Sequence, residues 1–125
     1  SATGTASATT FLRGDGTWSA VSVTPTTATP SALTADQNDW AIGTGDILRI
    51  SGTAARNITG IASTATSPML LINVGSYTLT LKHQSTSSSS ANRFTTAWAG
   101  DCTLAANGGS ALVVYDATTG TWRVM

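Results

Sequence analysis

The stretch that most restricts the fold is residues 69–83 (MLLINVGSYTLTLKH), where apolar residues stand on both sides of a glycine–serine pair. As a β-hairpin with a two-residue loop at residues 75–76, it pairs Ile72 with Leu79 and places the apolar side chains on one face. Gly75 suits the first loop position because that position needs a positive φ. The predicted buried face takes apolar residues from both arms: Leu70, Ile72, Val74, Tyr77, Leu79 and Leu81.

Composition restricts the class of protein further. The 125 residues have a net charge of zero, 10% charged residues and a 41% apolar fraction. This length and apolar content predict one domain, and the abundance of Thr, Ser and Gly favours strands and turns. A zero net charge argues against nucleic acid or an anionic membrane as the main partner, and no stretch is long and apolar enough for membrane insertion. Cys102 is the only cysteine, which excludes an intrachain disulfide and a thiolate zinc site.

Short strand patterns recur along the rest of the chain, separated by turn residues. They lie at residues 47–50, 57–61, 93–96, 102–104, 111–115 and 121–124. This spacing predicts an all-β fold, a small antiparallel β-sandwich or barrel-like module. The last two strands form a second predicted hairpin, closed by residues 117–120, that pairs Tyr115 with Trp122 and Val113 with Val124.

The N-terminal part is poor in apolar residues. Residues 1–35 are predicted to form an extended N-terminal arm and linker, with residues 36–125 as the β-sandwich body. Phe11, Leu12 and Trp18 are the apolar anchors of the arm. Because such a segment cannot bury enough surface to fold alone, we expect these anchors to dock on the body or on another chain.

Two apolar runs are continuous where alternation is the norm. An antiparallel strand with one face in water alternates apolar and polar residues, but residues 69–72 and 111–115 do not. Something must cover the second face of these strands, and a small domain gains stability from burying it between subunits. The sequence therefore predicts a homo-oligomer.

Several motifs, in order, resemble the C-terminal domain of bacteriophage tail-fibre and tail-spike proteins. They are residues 4–18 (GTASATTFLRGDGTW), 38–40 (NDW), 45–51 (GDILRIS), 58–61 (ITGI), 71–76 (LINVGS), 91–94 (ANRF), 114–116 (VYD) and 122–124 (WRV). The resemblance runs over nearly the whole chain. It implies a homotrimeric β-structured fibre tip or adjoining module on the virion, attached to an upstream fibre shaft and involved in adsorption to the bacterial surface.

Two loops are candidates for receptor contact. Residues 97–101 carry Trp98 and Asp101, and a tryptophan beside polar groups is a common solution for binding sugars. The polar loop 84–92, expected to be flexible, carries the other candidates: Gln84, Ser87 and Asn92. The alternative for Trp98 is that it closes one end of the core or packs at a subunit contact.

Three functions follow. The first is a receptor-binding tip for a bacterial surface glycan or outer-surface protein. The second is a structural module that trimerises and caps a fibre or joins shaft to tip, and the third, less favoured, is a polysaccharide depolymerase fragment.

Catalytic and metal sites have weaker support. The serines of residues 85–90 lack the glycine-flanked elbow of a nucleophile, and the aspartates sit mostly at turns rather than as a placed pair. We therefore expect no enzyme and no cofactor. His83 leaves open a metal shared on a trimer axis, but a hydrogen-bonded histidine is the favoured interpretation. The acidic residues of 36–39 are predicted to make capping and Asx-turn hydrogen bonds rather than to bind a metal.

Overall fold

The fold was obtained as a computed structural model, which describes residues 3–8, 10–12, 14–20 and 24–125. Over these residues the chain forms eleven β-strands and one short 3₁₀ helix, Ser90–Asn92. The strands are β1 Thr10–Leu12, β2 Trp18–Ala20, β3 Thr27–Ala28, β4 Ile47–Ile50, β5 Arg56–Ile58, β6 Met69–Asn73, β7 Leu79–Leu81, β8 Phe94–Thr96, β9 Cys102–Leu104, β10 Ser110–Asp116 and β11 Thr121–Val124. Among the described residues, no helix has the length and apolar character needed to cross a membrane.

The body consists of two sheets. One is six-stranded, in the order β3-β4-β6-β10-β11-β8, and the other is three-stranded, in the order β5-β7-β9. Strands β1 and β2 form a separate two-stranded antiparallel sheet. The prediction of an all-β, sandwich-like fold is confirmed.

Strand pairing within the sheets is mixed, whereas the sequence predicted antiparallel pairing. From β4 to β7 successive strands alternate between the two sheets, and the pairs β4–β6 and β5–β7 are parallel. The pairs β3–β4 and β8–β11 are also parallel, whereas β6–β10, β7–β9 and β10–β11 are antiparallel.

The parallel pairs give the chain the form of three stacked coils. The first coil covers residues 27–42, the second 47–61 and the third 70–81. Backbone bridges connect Thr27 to Ile47 and Trp40 to Ile61 between the first two coils. The predicted boundary after residue 35 falls inside the first coil, where Leu33 is buried.

The core lies between the two sheets. Its largest fully buried side chain is Trp122, whose Nε1 donates a hydrogen bond to the Ile61 carbonyl at 2.8 Å. The other members come from both sheets and the coil connections: Leu33, Ile42, Leu48, Ile50, Ile58, Ile61, Met69, Leu71, Leu79, Leu81, Phe94, Leu104, Ala111, Val113 and Val124.

The hairpin predicted over residues 69–83 is wrong. Strand β6 pairs with β4 and β10 in the six-stranded sheet, while β7 pairs with β5 and β9 in the other. Both edges of β6 are occupied, so β7 has no place beside it. The buried parity of β6 is also opposite to the prediction, since Met69, Leu71 and Asn73 point inward and Val74 is exposed.

Asn73 stabilises the segment in which the chain crosses from β6 in one sheet to β7 in the other. It is fully buried, and its Nδ2 donates to the carbonyls of Tyr77 at 2.8 Å and Leu104 at 3.0 Å. Its Oδ1 accepts from the Gly75 N–H at 3.1 Å. The side chain thus bonds to backbone groups of the crossing and of β9, which stabilises a crossing where the sequence pattern predicts a turn.

The second predicted hairpin is confirmed. Strands β10 and β11 pair with Tyr115 opposite Trp122 and Val113 opposite Val124. The two aromatic rings meet edge to face, with centroids 5.2 Å apart. Asp116 accepts hydrogen bonds from the loop and from Arg123, which lowers the pKa of its carboxyl.

Candidate functional site

The loop that carries Trp98 connects β8 to β9 and has a fixed shape. Ala99 has a φ of 54°, and the Thr96 Oγ1 donates to the Gly100 carbonyl at 2.7 Å while accepting from the Gly100 N–H at 3.1 Å. The Trp98 Nε1 donates to the backbone carbonyl of Asp101 at 3.2 Å. The indole is nevertheless 54% exposed, so this residue does not close the core of the single chain.

Asp101 lies at the base of the same loop. Its carboxylate forms an ion pair with the Lys82 ammonium and accepts the His83 N–H at 2.8 Å. The hydrogen bond from Lys82, followed by that from His83, lowers the pKa of Asp101 below its ordinary value. Both charged groups are partly exposed, so the residue whose carbonyl accepts the indole N–H also presents an ion-paired carboxylate to solvent.

His83 positions this loop through its ring. Its Nδ1 accepts the Thr96 N–H at 3.1 Å, which assigns Nδ1 as the unprotonated nitrogen in this arrangement. The predicted hydrogen-bonded histidine is what the structure shows. Among the residues the structure describes, no group of three or more His, Cys, Asp or Glu side chains is placed to hold a metal ion.

Gln84 lies at the same sheet edge. Its N–H donates to the Phe94 carbonyl at 2.9 Å, and its Nε2 donates to the Thr95 Oγ1. Residues 82–84 thus run beside β8, the outermost strand of the six-stranded sheet. We call Trp98, Asp101, Lys82 and Gln84 the Trp98 site.

Asn92 and Ser87 belong to a different part of the surface. The Asn92 Nδ2 donates to the Asp39 Oδ1 at 2.8 Å, and its Oδ1 accepts the Ser63 N–H at 2.9 Å. With both ends of its carboxamide engaged, Asn92 is a structural residue of the loop. Ser87 is exposed, and its N–H donates to the Ser85 Oγ at 3.3 Å.

Loop 84–92, expected to be flexible, is tied to the body by Asp39. The Asp39 carboxylate accepts the Ser89 N–H at 2.8 Å in addition to the Asn92 amide, and these bonds lower its pKa. The hydroxyl of the buried Ser88 forms a hydrogen bond of 2.7 Å with the Thr59 hydroxyl, in which either oxygen can be the donor. The hydrogen bonds predicted for residues 36–39 therefore include bonds between Asp39 and residues about 50 positions later in the chain. The local sequence pattern cannot predict such distant partners.

Lys82 is the member of the Trp98 site that sequence reasoning missed. It follows directly after β7, and the pairing of β7 with β9 brings it close to the 97–101 loop. The hairpin predicted over residues 69–83 leaves this pairing out.

Two surface grooves lie away from the Trp98 site. One of about 250 Å³ lies between residues 41–44 and 62–65 and is lined by small side chains. The other, of about 380 Å³, is apolar and lined by residues that include Pro25, Ile47 and Leu112. Cys102 faces neither groove, and its partial burial raises the pKa of the thiol.

Comparison of the chain with protein-family models, curated proteins and solved structures finds no match.

Proposed function

We propose that this chain is the receptor-binding tip module of a bacteriophage tail fibre, and that the Trp98 site binds a glycan of the bacterial surface. The observation that carries the proposal is an exposed indole whose orientation is fixed by the hydrogen bond from its Nε1 to the Asp101 carbonyl. A ring that is already ordered loses little entropy on binding, and its face covers the apolar C–H surface of a sugar.

The polar groups around the ring suit hydroxyl recognition. Asp101 offers acceptors, the Lys82 ammonium offers donors, and Gln84 offers both. The site contains a single carboxylate, whereas glycoside hydrolysis in its common forms uses two placed carboxylates. This supports binding without cleavage.

The resemblance to tail-fibre domains provides the biological setting. In that setting the chain is a homotrimer on the virion, joined to an upstream fibre shaft, and it contacts the host during adsorption. The second candidate is a structural module that trimerises or caps the fibre. It is favoured by the exposed apolar side chains of Leu112 and Met125 on the six-stranded sheet.

Trp98→Ala tests the glycan proposal on an array of bacterial surface polysaccharides. One face of the indole covers about 80–100 Å² of sugar, or about 2 kcal/mol at ~25 cal/mol per Å², so we expect roughly 30-fold weaker binding. Tyr77→Ala is the matched control, because Tyr77 is 49% exposed in another loop, and its binding should be unchanged.

Both variants should keep the unfolding temperature of the parent, since neither ring is buried. Equal losses of affinity in the two variants, or binding that survives Trp98→Ala, would contradict the glycan site. A parent protein that binds no polysaccharide or host cell at all would favour the structural module.

A further inference from the structure

The face of the six-stranded sheet that points away from the core carries a group of apolar residues near its centre. Neighbouring strands align Ile47, Leu70 and Leu112 in one row, and Met125 exchanges backbone hydrogen bonds with Leu112 at the end of that row. The inward row beside it holds the buried Leu48 and Leu71. Arg49, Ser110 and Arg123 also point outward, at the border of this apolar group. We define the outer apolar face by the apolar residues among its outward positions: Ile47, Leu70, Ile72, Leu112, Val114 and Met125.

The other sheet does not share this character. The three-stranded sheet aligns Asn57, Thr80 and Thr103 on its outward side. These polar residues are what a sheet face in water normally carries. The contrast shows that the apolar residues of the six-stranded sheet are not a general feature of this composition.

A second apolar feature lies in the arm. Phe11 and Leu12 are 47% and 53% exposed, and Leu112 on the outer apolar face is 38% exposed. The connection from the arm enters the body at the rim of that face, because Thr24 and Pro25 line the 380 Å³ groove together with Leu112. Within one chain, Phe11 and Leu12 do not cover the outer apolar face, and both features remain exposed to solvent.

Area indicates that the two features belong together. Four strands spaced about 4.8 Å apart, each with about four residues at ~3.3 Å, give a face of roughly 250 Å² in projection. Stable interfaces bury about 800 Å² per partner, so a flat contact between two such faces is small. An aromatic side chain adds about 150–250 Å² when it is buried, and a leucine beside it adds more. The net charge of zero means that copies of the chain do not repel one another.

We propose that Phe11 and Leu12 of one copy of this chain dock on the outer apolar face of a second copy. Each copy then gives an arm and receives one, a head-to-tail contact that closes into a ring. The contact gives the proposed homotrimer its interface and rests on that part of the proposed function. It does not involve the Trp98 site.

Disulfide trapping tests which copy the arm reaches. In a Cys102→Ser background, the double variant Phe11→Cys with Leu112→Cys should form covalent multimers under mild oxidation on a non-reducing gel. The matched control, Phe11→Cys with Thr103→Cys, places the second thiol on the polar sheet and should stay monomeric. Covalent closure within single chains, seen as a faster-migrating monomer at all dilutions, would overturn docking between copies.

The solution mass of variants tests whether the oligomer depends on this contact. Leu112→Lys should reduce the mass by light scattering to that of one 12.7 kDa chain, and Thr103→Lys should leave it unchanged. An oligomer that survives both Leu112→Lys and Phe11→Ser with Leu12→Ser would overturn the contact and leave the proposed homotrimer standing. A monomeric parent protein would overturn both the arm contact and the proposed homotrimer. The effect of Trp98→Ala on polysaccharide binding tests the glycan site and does not bear on either of these two proposals.

Discussion

Replacing Asn73 should destabilise the protein more than its single side chain suggests. The carboxamide makes three hydrogen bonds to backbone groups of residues 75, 77 and 104, and it is fully buried. Three hydrogen bonds contribute about 3 kcal/mol, and the cavity left by the buried side chain costs about 1 kcal/mol more. For Asn73→Ala we therefore expect a loss of about 4 kcal/mol from a total of roughly 5–15 kcal/mol.

Thermal and urea unfolding measure this loss. A domain of this size changes its unfolding temperature by about 3–5 °C per kcal/mol, so Asn73→Ala should lower it by roughly 10–20 °C. Ser76→Ala is the control, because Ser76 is exposed in the same crossing, and it should change little.

Asn73→Asp distinguishes lost hydrogen bonds from lost volume. The variant has nearly the same shape, but a carboxylate cannot donate to the carbonyls of Tyr77 and Leu104. It should be less stable than Asn73→Ala at pH 7 and recover partly in acid, where a protonated carboxyl donates one bond. An unfolding temperature for Asn73→Ala within a few degrees of the parent would refute the crossing as a point of stability.

Three further predictions concern single groups. Trp122→Phe leaves the buried Ile61 carbonyl without its donor and should cost about 2–4 kcal/mol in urea unfolding. The pKa of Asp39 lies below the ordinary 3.8, so its hold on loop 84–92 is complete above that value and is lost as the pH falls through the lowered pKa. Amide-exchange protection of the loop should fall in acid, and Asp39→Asn should show that lower protection already at pH 7. Cys102, whose pKa is raised by burial, should react with iodoacetamide at pH 8 several-fold more slowly than a free thiol, and unfolding should remove the difference.

The two hairpin predictions show what the sequence could decide. The β10–β11 register was predicted from the four-residue loop 117–120, which sets Tyr115 opposite Trp122. The run at residues 69–72 is apolar at every position, so either parity fits it equally well. The predicted buried face of Leu70, Ile72 and Val74 leaves Asn73 on the outward side, whereas the structure buries Asn73.

The candidate site likewise contains residues whose position the sequence predicts and one whose position it does not. Trp98, Asp101 and Gln84 were predicted and do lie at one sheet edge, because short segments beside β8 bring them together. Asn92 was assigned to the same role from its polar loop alone. Its engagement by Asp39 depends on the stacking of distant coils, which local pattern does not encode.

The arrangement of the six-stranded sheet also limits when the chain can fold during synthesis. Strand β10 lies between β6 and β11, so the third coil has no partner on one side until residues 110–124 have left the ribosome. Within residues 24–125, β10 and β11 are the one antiparallel pair formed by consecutive strands, and such a hairpin closes in about 1–10 μs. Until this hairpin forms, the coils that were synthesised earlier keep their apolar edges exposed. Folding of this domain should therefore begin at the β10–β11 hairpin and proceed back through the coils that precede it.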